Sequence, residues 1–116
     1  MSLNAYKSAQ TATENPRVTE YRLFGQVTGA LLDAQKTKAA GTPLVEAIDW
    51  NRRMWRTLAA DCMDDRNTLT EDVRAKIISL SLWVSKYSRQ VTRDKAPIAP
   101  LIEINRNIMQ GLQQAG

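Results

Sequence analysis

"AIDWNRRMWRTLAADC", residues 47–62, is the stretch whose reading decides the fold. With Leu44 just ahead of it, a stripe of Leu44, Ile48, Asn51, Trp55, Leu58 and Cys62 recurs at spacings of three and four. That is the signature of one face of an amphipathic helix, and Asn51 is its single polar member. At about 100° per residue, Trp50 and Trp55 point about 140° apart, so they cannot share the stripe. Trp55 belongs to it. Trp50 is then expected at the helix edge, half exposed beside Arg53 and Met54, a composition typical of protein-interface hot spots. Simple coverage of the bundle's edge by an amphipathic ring is the competing reading of Trp50.

Upstream, Asn15 and Pro16 form an N-cap and first-turn pair. They open a helix striped by Val18, Tyr21, Phe24, Val27 and Leu31. "AAGTP" stops that helix at Gly41, and Thr42 with Pro43 start the next one. Downstream, the polar "MDDRNT" ends the helix of the opening stretch. A third helix begins near Thr70, where Glu71 and Asp72 suit the positive end of the helix dipole. It carries Val73, Ile77, Leu80, Val84, Tyr87 and Val91, with Ile78 and Trp83 widening its face. Pro97 breaks the chain before a last helix striped by Ile98, Leu101, Ile102, Asn105, Ile108, Met109 and Leu112. A short N-terminal helix is read over 3–13. No stretch alternates apolar and polar residues as a half-buried strand does. The expectation is an all-α single domain over 1–116, a compact bundle of four main antiparallel helices plus the short N-terminal one.

The chain has 116 residues, 43% of them hydrophobic and 24% charged, which suits one folded domain. Sixteen Lys and Arg against twelve Asp and Glu give a net charge of +4. Such an excess favours acidic partners without marking an obligate nucleic-acid binder. The first residues, "MSLNAYKSAQ", lack the apolar core of a secretory signal, and the longest apolar run, "IISLSLWV" at 77–84, is far short of a membrane span. Cys62 alone excludes an internal disulfide. A cytoplasmic protein with no membrane association is expected.

With no histidine, the chain cannot build a Ser-His-Asp or Cys-His site or an imidazole-ligated zinc. Cys62 ends an apolar stripe, the place of an inert buried thiol rather than a nucleophile. Asp61, Asp64 and Asp65 lack the Gly and terminal Glu of an EF-hand loop, so they read as a solvated helix end. There is no glycine-rich phosphate loop. No catalytic residue, metal or cofactor is expected, which removes most readings of the chain as a small enzyme.

"GQVTG" puts Gly25 and Gly29 four apart on one helix face, a notch where another helix can approach closely, either from the same bundle or from a partner. Arg52 and Arg56 share a face with Arg53 beside them, and Lys86, Arg89 and Arg93 form a second basic row.

Four stretches together resemble the flagellar biosynthesis regulator FlaF family of small bacterial proteins. They are "NAYKSAQTATENPRVTEYRLFGQVTGAL" at 4–31, "AIDWNRRMWRTLAADC" at 47–62, "RAKIISLSLWVSKYSRQV" at 74–91 and "IEINRNIMQGL" at 102–112. None is a catalytic motif; their order and spacing carry the resemblance. It implies a non-enzymatic role in flagellin production, as a flagellin-binding chaperone acting beside the translational regulator FlbT. On that basis the expected dock is a helix-in-groove surface of Trp50, Met54, Met109 and the Gly25/Gly29 notch. Arg52, Arg53 and Arg56 would orient the partner against its acidic side chains. The alternative from another class is direct binding of flagellin messenger RNA by the two basic rows, and a homodimer burying the same surface is a third reading.

Overall fold

The computed structural model describes residues 16–115, with side chains from 21 to 111. Four helices follow one another: α1 (Pro16–Lys36), α2 (Gly41–Met63), α3 (Glu71–Asp94) and α4 (Ala99–Ala115). No strand occurs among the described residues, and the all-α expectation holds. The short N-terminal helix read over 3–13 lies outside them.

The helix ends follow local chemistry. Pro16 opens α1, where the missing N–H costs nothing. α1 closes at Lys36, earlier than the glycine-based reading, through a left-handed Lys38 (φ 52°). There the Ala39 N–H donates to the Ala34 carbonyl at 2.9 Å and the Lys38 N–H to that of Gln35 at 3.3 Å, the pairing of a Schellman turn. Gly41, with φ 63°, lets the chain re-enter a helix one residue sooner than expected. Thr42 and Pro43 therefore sit inside the first turn of α2, and its N-cap, Ala40, offers no capping side chain. Thr70 does cap α3, its hydroxyl accepting from the Val73 N–H at 3.4 Å, with Glu71 and Asp72 in the first turn as read. A second left-handed lysine, Lys95 (φ 58°), closes α3.

α2 runs antiparallel to α3. Midway, the Ser81 hydroxyl donates to the Trp55 carbonyl at 3.3 Å, and at the far end Arg74 Nε donates to the Cys62 carbonyl at 2.7 Å. A second guanidinium nitrogen of Arg74 reaches the Asp64 carbonyl at 3.1 Å, so α3 supplies partners for carbonyls that the end of α2 leaves open. In the same turn Asp64 takes two side-chain bonds and one backbone bond from Arg66, which hold its carboxyl below the ordinary carboxylate value. This acidic loop is thus largely an internal turn lock.

The last helix does not stay with α3. α3 and α4 touch least of the packed pairs, whereas α4 lies along α1, with Thr28 opposite both Asn105 and Met109. The polar members of the α2 and α4 stripes meet at this junction, joined by Thr28 of α1. Asn105 accepts from the Trp55 indole N–H at 2.8 Å and donates to Asn51 Oδ1 at 2.8 Å and to the Thr28 hydroxyl at 3.2 Å. One buried carboxamide thereby ties α4 to α1 and α2 at once. Around this network Phe24 meets Trp55 edge to face at 5.6 Å, and Val27, Leu31, Ile48, Leu58, Ile77, Val84, Val91, Leu101 and Ile102 complete one core spanning all four helices.

Candidate functional site

α2 is packed against α3 on one side and α1 on the other, with Asn105 of α4 above its stripe. A helix so enclosed buries a wider arc than a surface helix. Trp55 is 0% exposed and Trp50 37%, as their divergence requires. Met54 corrects the sequence reading: it is 5% exposed, part of the core and not of a dock. It sits only about 60° from Asn51 around the helix, inside the arc that α1 and α3 cover together.

Trp50 forms one wall of a crevice of about 370 Å³ between α1 and α2, lined also by Ala30, Asp33, Ala34, Thr37, Ala39, Pro43, Glu46 and Ala47. Its floor is alanine because larger side chains at Ala30, Ala34 and Ala47 would fill the space beside the indole. Two carboxylates, Asp33 and Glu46, stand at it, and no cation lines it. This acidic, aromatic-walled concavity was not legible in the sequence, since nothing in the chain pairs α1 positions with α2 positions.

The arginines do not gather around Trp50. Arg53 is exposed and paired with Asp49 at 3.1 Å one turn back. Arg56 is exposed. Arg52 is half-buried, lies about 160° from Trp50 around α2, and leaves its Nε without a hydrogen-bond partner. Of the three, Arg53 alone is near the tryptophan's side of the helix, about 60° away.

The glycine notch divides as well. A Cβ on Gly25 would stand 3.8 Å from Met109 Cε, so Gly25 and the half-buried Met109 form part of the contact between α1 and α4. The Thr28 hydroxyl touches the same Met109 sulfur at 3.9 Å. Nothing lies within 4 Å of a Cβ on Gly29, which leaves that half open. Gly25 faces α4 while Ala30 and Ala34 face the crevice, about 140° and 180° round α1, so the expected single dock is two separate features.

α3 carries an aromatic surface that the stripe reading absorbed into its core face. Trp83 stacks on Tyr87 with centroids 5.0 Å apart and planes 9° from parallel, and Trp83 is 38% exposed. The Tyr87 hydroxyl donates to the Pro97 carbonyl at 2.6 Å, and burial raises the phenol's pKa above its ordinary value. The i, i+4 spacing of the two rings was the available signal. Lys86, Arg89 and Arg93 are exposed on the flank of the same helix.

No helix among the described residues is long and apolar enough to cross a membrane, and no group of three metal-ligating side chains is found among them. No curated protein and no solved structure shows significant similarity to the chain. The sequence model of one family, described as Flagellar protein FlaF, matches residues 2–112, the resemblance carried by the four quoted stretches. Because that match runs through all four helices of the bundle, the chain belongs to the flagellar protein FlaF family.

Proposed function

We propose that this FlaF-family protein is a flagellin-binding chaperone of flagellum biogenesis, cytoplasmic and non-enzymatic, which covers an amphipathic terminal helix of flagellin before assembly. The observation that carries the reading is Trp50, 37% exposed over an alanine-floored crevice. A large aromatic beside a shallow concavity of small residues is what an apolar helix ridge packs against. The dock is accordingly centred on Trp50, Ala30, Ala34 and Ala47. Arg53, outside the crevice lining and about 60° round α2 from Trp50, acts on the partner's approach, while Asp33 and Glu46 select basic side chains of the partner. Met54, Gly25 and Met109 support the bundle and lie outside the dock. FlbT acts downstream, sensing whether the crevice is filled.

The test is a titration of purified flagellin, and of its separate N- and C-terminal fragments, against wild type, Trp50→Ala and Arg53→Ala, with melting temperatures alongside. Trp50→Ala is expected to bind about 2 kcal/mol more weakly and to melt within a few degrees of wild type. Arg53→Ala is expected to lose less, and its deficit to shrink as salt rises. Normal binding by Trp50→Ala would move the dock elsewhere. Trp83, exposed where it stacks on the half-buried Tyr87 and beside Lys86, favours a second reading, flagellin messenger RNA held on α3. Transcript binding that falls steeply with salt and is lost in Lys86→Ala would replace the chaperone reading.

A further inference from the structure

A second cavity, of about 590 Å³, opens where the turn between α1 and α2 meets the turn between α3 and α4. Its apolar lining includes Leu44, Val91, Ala96 and Ile98, and its only charged lining residues are Lys38 and Lys95. Neither lysine makes an ion pair among the described residues. The backbone singles out the same place. The described residues with positive φ are Lys38, Lys95 and Gly41, and all three line this cavity. Left-handed backbone is disfavoured for a side chain like that of lysine, and glycine or asparagine would close α1 and α3 with less strain. Two helices therefore end in an unfavourable residue of the same charge at the rim of one apolar hollow. Strain held in this way points to a role beyond the turn itself. The start of α2, which has no capping side chain, lies on the same wall.

We propose that this cavity binds a short apolar segment of a partner polypeptide that carries a carboxylate. The carboxylate sits between the Lys38 and Lys95 ammonium groups, and the neighbouring apolar side chain rests on Leu44, Val91 and Ile98. Charge complementarity selects this occupant: two cations and no anion line the space, in contrast to the adjoining Trp50 crevice, whose charged lining residues are Asp33 and Glu46. Trp50 does not line this cavity, so its occupation does not depend on the chaperone reading.

The probes are N-acetyl-leucine, which joins a carboxylate to an apolar side chain, and its neutral amide. Each is titrated into the full chain while the methyl resonances of Leu44, Val91 and Ile98 are followed by NMR. N-acetyl-leucine is expected to shift all three saturably, and the amide to bind at least fivefold more weakly. The double variants Lys38→Gly/Lys95→Gly and Lys38→Asn/Lys95→Asn are expected to weaken N-acetyl-leucine at least fivefold with no fall in melting temperature, while Trp50→Ala leaves it unchanged. Equal affinity for acid and amide, no saturable shift, or full binding by the double variants overturns the proposal. A fall in melting temperature with binding intact assigns the lysines to helix-end electrostatics and also overturns it. Binding of octanoate without N-acetyl-leucine overturns it in favour of a fatty-acid site.

Discussion

Asn105 joins three helices through one side chain. Its carboxamide accepts the Trp55 indole N–H and donates to Asn51 and Thr28, all within the core. Asn105→Leu keeps the branched shape, adds bulk to a closed site and removes every bond, which strands a buried donor on Trp55 and a buried acceptor on Asn51. Each such group costs about 1 to 3 kcal/mol, so a total loss of roughly 3 kcal/mol is expected from denaturant unfolding. A loss under about 1 kcal/mol would mean that water reaches the network. Asn51 already leaves its Nδ2 unpartnered, so this core has little slack in its polar pairing. Asn51 and Asn105 stand out in the sequence as polar members of two apolar stripes. That they meet each other was not legible, because a stripe gives the face of a helix and not its neighbour.

At the scale of the elements, α3 is where stripe and burial part company. Ile77 is 2% exposed, whereas Leu80 is only half-buried and Val73 is exposed, although all three share the periodic stripe. The difference follows from α4 leaning on α1, which uncovers the part of the α3 face it would otherwise bury. Ile77→Ala is therefore expected to cost about 3 kcal/mol and Leu80→Ala only about 1 to 2 kcal/mol. Equal losses would show that α3 and α4 are closed against each other in solution. The helix ends were legible where a side chain does the work, as at Pro16 and Thr70. They were misplaced where the backbone does it, as at Lys38 and Gly41, because a lysine in left-handed conformation leaves no mark in the residue pattern.

For the whole molecule, one core cluster draws on all four helices, and α2 packs between α3 and α1 while α4 joins the bundle along α1. Native-state hydrogen exchange should therefore be slowest in α2, around Met54 to Leu58, with exchange there limited by global unfolding. The turns at 37–40 and 95–98 should exchange fastest among the described segments. Protection highest in α3 would contradict the central place of α2. Melting should be a single transition, since no helix has a core of its own.

The order, type and apolar faces of the helices, the opposite fates of Trp50 and Trp55, and the flagellar family were all determined by sequence. These depend on periodicity and spacing along one chain, which a linear string contains. Tertiary structure decided that α4 pairs with α1, that Met54 is enclosed, that Gly25 meets Met109, and that two oppositely charged hollows adjoin at Ala34 and Ala39. Each of those depends on which helix lies beside which. The buried hydrogen bonds of Asn105 and the fit of the core accompany that choice, and hydrophobic patterning alone leaves it open.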